Sequence, residues 1–240
     1  MIATPVAVPP PVALAAAPAR LIVPASSRAV IRVANTGSAP LDVRVSRAGL
    51  SLGNEGRPAV GQRAAPPGWL FVSRTRFRIR GHTAVAVALR AGALRGVRPG
   101  DHATLLLLSA VRPGRRAISV ALRVGVVVVL RARGRVAQRL ALGAVRVARN
   151  GHRRVLRIGV VNRGDLDEWI GRDRVRLSLW RAGRLVARPA PLARRLLARS
   201  RGVVVAPLSR RLHGRYVLEV RFLRPRPRSP AVRRLYRILL

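Results

Sequence analysis

The 240-residue sequence contains no cysteine, one methionine, eight acidic residues and only 3% aromatic residues, and inspection finds no lysine among its 48 basic residues. Without cysteine there is no disulfide, no thiolate nucleophile and no zinc–thiolate site. With so few aromatics the core has to be built from Val, Leu, Ile and Ala, whose β-branched members favour strands, and little surface is left on which nucleic-acid bases could stack. Apolar runs are short as well. The longest, residues 124–130, has the length of a buried strand and falls well below the roughly 18–20 residues that span a bilayer as a helix. A hydrophobic fraction of 49% nevertheless excludes a wholly disordered chain.

The scarcity of acids leaves a formal net charge of +40. A surface this positive suits a polyanionic partner such as nucleic acid, an anionic membrane surface or an anionic cell-wall polymer. Codon usage in a GC-rich genome is the other source of such an arginine excess, and the arginines are spread along the whole chain without forming one block.

One unit organises the rest. Residues 28–47 read as an alternating strand, a tight Asn35-Thr36-Gly37 turn and a second alternating strand in which Leu41, Val43 and Val45 share a face. The pattern returns around Asn162-Arg163-Gly164, and the strand ending Ser46-Arg47-Ala48-Gly49 has a counterpart ending Trp180-Arg181-Ala182-Gly183. A second doubled mark is Gly214, two residues before Tyr216 at the start of a late strand. This is the pattern of a tyrosine corner, with Gly100-Asp101-His102 in the matching place of the first half. The expected fold is therefore all-β: two tandem immunoglobulin-like sandwiches, residues 20–133 and 134–223. Residues 1–19 are expected to be a Pro/Ala-rich leader or degenerate export signal, and residues 224–240 a basic tail, extended because its alternating prolines block a central strand and ending in a short basic amphipathic segment. Trp69 is expected to plug a core otherwise made of small residues.

These residues carry a resemblance. Ala-Arg-Leu-Ile-Val-Pro at 19–24, Val-Ala-Asn-Thr-Gly-Ser-Ala-Pro at 33–40, Trp-Leu-Phe-Val at 69–72, Arg-Phe-Arg-Ile-Arg-Gly at 76–81 and Arg-Pro-Gly-Asp-His at 98–102 occur in that order. Over roughly residues 18–223 the chain resembles the tandem immunoglobulin-like surface proteins of Gram-positive bacteria, similar to the WxL-interacting proteins. Its first domain also resembles the pilus-assembly chaperones. The first resemblance implies an exported, envelope-associated binding module contacting cell-wall material or a surface protein. In the second, Arg20 matches the basic residue of the chaperones' first strand, while the second anchoring position in those proteins is a lysine, which this chain lacks.

No motif speaks for an enzyme: no nucleophile elbow, Gly-rich phosphate loop or paired carboxylates occur. His82, His102, His152 and His213 lie in turns, apart from one another, so no metal and no cofactor is expected. Asp165, Asp167, Glu168 and Asp173 crowd one loop beside Trp169. Their spacing is not that of an EF-hand, and the neighbouring Arg163, Arg172 and Arg174 point to a salt-bridged loop instead of a calcium site. The one regular array of charge is Arg74, Arg76, Arg78 and Arg80, on one strand face at a spacing of about 6.6–6.8 Å, a ladder suited to phosphate. The sequence thus suggests a non-enzymatic, exported cell-envelope module that binds an anionic cell-wall polymer or a surface protein. A cytoplasmic protein binding nucleic acid non-specifically through its charge is the alternative, and a pilus-chaperone-like assembly factor a further one.

Overall fold

The computed structural model describes residues 13–53, 56–61, 65–111, 121–151, 153–223 and 232–240. The chain divides into two compact units. One takes in residues up to 51, 60–98 and 102–133, and the other residues 134 onward with the short stretches 52–59 and 99–101.

The first unit runs β1 (Leu14–Ala17), β2 (Arg20–Pro24), β3 (Arg28–Asn35), β4 (Leu41–Leu52), β5 (Pro58–Gly61), β6 (Leu70–Val72), β7 (Arg76–Ile79), β8 (Ala84–Ala91), β9 (Gly100–Val111) and β10 (Ala121–Ala132). They form two sheets, β1-β3-β8-β6 and β2-β10-β9-β4-β5, with β7 also paired to β4. Period-2 alternation decides which side chains meet between the sheets: Leu41, Val43 and Val45 are buried while Asp42, Arg44 and Ser46 are exposed. Ile31, Val33, Val87 and Leu89 of one sheet share a core with Leu106, Leu108, Val126, Val128 and Leu130 of the other, the arrangement of an immunoglobulin-like sandwich. A smaller cluster of Leu105, Val127 and Val129 packs with Ala48, Leu50, Ala103 and Leu107. This accounts for the unbroken apolar run of β10: both of its faces are covered.

The second unit runs β11 (Leu140–Asn150), β12 (Arg153–Asn162), β13 (Glu168–Ile170), β14 (Val175–Arg181), β15 (Arg184–Ala187), β16 (Arg194–Leu196), β17 (Arg201–Pro207), β18 (Arg215–Phe222) and β19 (Arg233–Leu239). Sheets β11-β12-β17 and β15-β14-β18-β19 enclose the core, and β13 pairs with β16. Leu156, Ile158 and Val204 meet Leu177, Leu179, Leu218 and Val220 there.

Both ends differ from the sequence-based expectation. Residues 1–12 of the expected leader lie outside the described residues, but Leu14–Ala17 is a strand, antiparallel to β3 from Leu14↔Asn35 to Ala17↔Arg32. Pro18 has no N–H to continue that ladder, and after it the chain joins the other sheet as β2. The expected basic tail likewise ends in β19, an edge strand whose Arg215↔Leu239 to Arg221↔Arg233 register holds it against β18. The amphipathic end of the tail puts Tyr236 and Ile238 inward and Leu235 and Arg237 outward, but the preceding prolines gave no sign that it pairs as a strand. Trp69 is half-buried and packs at the margin of the core, so the largest fully buried side chains are aliphatic.

Candidate functional site

The doubled turn is the best-defined polar device in each unit. Asn35 ends β3 with its side chain 1% exposed. Its Oδ1 accepts from the Gly37 N–H at 3.0 Å, and its Nδ2 donates to the carbonyls of Ala39 (2.7 Å), Arg80 (3.2 Å) and Ile79 (3.4 Å). Asn162 repeats this at the end of β12: Gly164 N–H to Oδ1 at 2.9 Å, then Nδ2 to Leu166 (2.8 Å) and Leu197 (3.0 Å). Each asparagine closes its own turn and fastens it to a distant segment.

The doubled corner is also formed. Gly214, at φ +98°, lets the chain turn so that the Tyr216 hydroxyl donates to the His213 carbonyl at 3.2 Å. At the matching place in the first half of the sequence Gly100 has φ +110°, and His102 Nε2 lies 2.8 Å from the Arg98 carbonyl, a contact that makes Nε2 the protonated nitrogen. The imidazole stands edge-on to Trp69 with ring centroids 5.2 Å apart. Tyr216→Phe is expected to lower stability by about 1 kcal/mol, the net contribution of one neutral hydrogen bond. An unchanged urea midpoint would show that the hydroxyl adds nothing.

The crowded acids are engaged by arginine and by backbone. Asp165 pairs with Arg199 at 3.1 Å and Glu168 with Arg174 at 2.8 Å, while Asp165 Oδ2 accepts from Ala137 N–H and Asp167 Oδ1 from Ala198 N–H. Arg199 takes the place expected of Arg163, a contact that local spacing could not reveal. Among the described residues, no three His, Asp or Glu side chains converge as metal ligands would. The remaining notable acid is Glu219, 5% exposed on β18, whose Oε1 accepts from both Arg221 Nε and Arg233 Nε. Burial raises its pKa, but the two guanidinium hydrogen bonds and charges outweigh burial and hold the carboxyl below its ordinary value of 4.5. A depressed carboxylate contributes stability that is complete above the unfolded-state value and is lost as pH falls through the lower folded-state value. Urea midpoints followed downward from pH 5 are therefore expected to fall more steeply for the native chain than for Glu219→Gln. Parallel curves would remove this ion pair from the acid sensitivity.

The arginine ladder is shorter than the sequence suggested: Arg74, Arg76, Arg78 and Arg80 are all exposed, Phe77 is half-buried and Ile79 buried, but only Arg76 and Arg78 lie within a strand. Thr75 is exposed too, because the strand itself covers only Arg76–Ile79. Arg76 stands opposite Arg44 and Arg78 opposite Asp42, with Arg78 Nε 3.8 Å from the Asp42 carboxylate.

A second feature of the first unit was not visible in the sequence. β10 has twelve residues, but β2 is parallel to it only from Arg20↔Val127 to Pro24↔Arg131. With β9 on its other side, residues 121–126 of β10 form a sheet edge that no described strand pairs. Along that edge Leu122 and Val124 are half-buried against the main core, while Arg123 and Gly125 are exposed. An unpaired edge with alternating apolar side chains lying against a core is a template for one more strand. Arg20 marks where the open stretch ends. The signals for this edge were Pro18, which cuts the first strand in two, and the small length of the piece that follows.

No protein-family profile matches the sequence, and no curated protein matches it. Solved structures do match the fold. The class 5 fimbriae chaperone CfaA is 10% identical with a TM-score of 0.53, covering 93% of this chain and 98% of its own. A chain of the chaperone–tip adhesin complex of CFA/I fimbriae biogenesis gives the same values. The YadV chaperone is 13% identical with a TM-score of 0.50, covering 94% of this chain and 99% of its own. At such identities the likeness is one of fold: along nearly its whole length, this chain is built like the two-domain immunoglobulin-like chaperones of fimbrial assembly.

Proposed function

We propose that the chain is a non-enzymatic, exported assembly factor that captures an extended segment of a surface-protein subunit along the open half of β10. The observation that carries this reading is the edge at residues 121–126, which no described strand pairs, with Leu122 and Val124 set against the core. The likeness to fimbrial chaperones, one of them in complex with a tip adhesin, supports it. The partner thus becomes a protein strand where charge alone had favoured an anionic polymer. An added strand would satisfy the edge with main-chain hydrogen bonds, and its alternate side chains would extend the apolar row. If it ran parallel to β10, as β2 does, it would be collinear with β2 and its C-terminal carboxylate would arrive at Arg20, whose guanidinium suits a carboxylate.

Hydrogen exchange on the full chain tests this. A synthetic peptide of alternating Val and Thr with a free C-terminal carboxylate is expected to slow exchange at residues 121–126. The same peptide with an internal proline should not. Protection spread evenly over the molecule, or none, would sink the reading. Cell fractionation tests the exported setting, since recovery from the cytosol alone contradicts it.

A further inference from the structure

At one end of the second unit lies an open cleft of about 600 Å³ lined by Arg149, Gly151, Arg154, Arg210 and His213. None of the five is acidic. Two elements far apart in sequence build it: the β11–β12 hairpin, and the connection from β17 to β18. In the hairpin Arg149 is directly opposite Arg154, and Asn150 opposite Arg153. Paired residues of this kind have Cα atoms about 4.5–5.5 Å apart, and like charges so placed repel. Gly151 closes the turn at φ +58°, and a β-carbon added there would meet nothing within 4 Å, so the wall at that point is open.

One of the cations is held in place. Arg154 Nη2 donates to the carbonyls of Leu212 (2.6 Å) and Arg210 (3.1 Å), which fixes the guanidinium across the two elements and leaves its Nε and Nη1 edge outside those two bonds. The backbone follows the same path, with Leu208 N–H donating to the Arg154 carbonyl at 2.9 Å. On the other wall the Tyr216 corner holds the His213 peptide, and Gly214 exchanges two backbone bonds of 2.9 Å with Leu240. The site therefore consists of one immobilised guanidinium, two more arginines and an imidazole around a concave space, on walls braced independently of any ligand.

We propose that this cleft binds a doubly charged phosphoryl group, of the kind carried by a phosphate monoester or a pyrophosphate. Three arginines with no carboxylate among the lining residues call for more than one negative charge. Arginine forks match tetrahedral oxyanions through paired N–H donors, and a concave wall concentrates the field of the charges that line it. The volume falls within the range of small-ligand clefts. This site is separate from the β10 edge and does not depend on the chaperone reading.

Calorimetric titration of the full chain with inorganic pyrophosphate, at ionic strength held constant with NaCl, tests it. Saturable one-site binding is expected, with a dissociation constant on the order of 1 mM or tighter. Dimethyl phosphate, equally tetrahedral but singly charged, should bind about ten-fold more weakly or not at all. The double variant Arg149→Gln/Arg210→Gln leaves the Arg154 carbonyl bonds in place and is expected to weaken pyrophosphate about ten-fold or more while its melting midpoint stays unchanged. The charge-matched control Arg76→Gln/Arg78→Gln should bind like the native chain. Arg154→Lys keeps the charge but not the fork, and should weaken binding several-fold. Non-saturating heats, equal binding of the two phosphates, or equal losses in the two double variants would each overturn the proposal, because each would reduce the cleft to a share of net charge.

Discussion

Asn162→Ala is expected to lower the unfolding free energy of the second unit by about 3–5 kcal/mol, because it leaves buried backbone groups without partners. In the native chain the amide is 1% exposed and serves the Gly164 N–H and the Leu166 and Leu197 carbonyls. Alanine deletes all three bonds in a place that water does not reach, and each orphaned group costs roughly 1–3 kcal/mol. Asn162→Asp is the sharper test. It preserves shape and the bond from Gly164, but it turns an oxygen toward two carbonyls and is expected to be at least as damaging as alanine. The same holds at Asn35, which serves the Gly37 N–H and the carbonyls of Ala39, Arg80 and Ile79. Trp69 lies in the first unit and Trp169 and Trp180 in the second, so fluorescence of single-tryptophan variants can separate the two transitions. A loss under about 1 kcal/mol at either asparagine would mean that surrounding groups or water replace its bonds.

The second large effect concerns binding. Leu122→Arg/Val124→Arg is expected to weaken capture of the alternating Val/Thr peptide by about 10–100-fold, a change of roughly 1.4–2.8 kcal/mol. Both positions are half-buried at the margin of the core, so the long side chains can turn their charged ends to solvent and the sandwich survives. What they remove is the apolar row against which an added strand would lie. Arg20→Ala probes the other end of the same stretch. The native chain should prefer the peptide with a free carboxylate over its amide, and Arg20→Ala should erase that preference. Native-like binding in the double arginine variant would place the peptide elsewhere and end the edge-capture reading. A preference for the carboxylate that outlived Arg20→Ala would end only the assignment of strand direction.

What was legible in the sequence was what is local. The Asn-x-Gly turns, the glycine two residues before His102 and Tyr216, and the inward row of Leu41, Val43 and Val45 each depend on neighbours within a few residues; the turns have their Asn-to-Gly bonds, the two glycines take positive φ and the row is buried. What escaped depends on which distant strand comes alongside. The strand at Leu14–Ala17 was counted with a leader because four residues carry no period of their own; pairing with β3 makes them a strand. The seven residues of β19 read as an amphipathic end to a tail, and prolines upstream that do not belong to the strand concealed that they pair. The open half of β10 cannot be seen in residues 121–126 at all, since it arises from where β2 begins. Asp165 pairs with Arg199, 34 residues away, and the cleft in the second unit joins a hairpin at Gly151 to a connection near His213. No window of sequence holds both walls.

The parallel pairing of β2 with β10 also sets a clock. Arg20 and Val127 are more than 100 residues apart in the chain, yet they are register partners in one sheet. Everything between them has to be threaded before that pairing forms, so the first unit belongs to the slow, non-local end of the folding spectrum, in the range of about milliseconds to seconds. On a ribosome or a translocation channel the chain would meet its environment with β2 waiting and the Val126–Leu130 run not yet delivered. A newly made copy therefore passes through an interval in which the apolar faces of its earlier strands wait without their β10 partner and need shelter from aggregation.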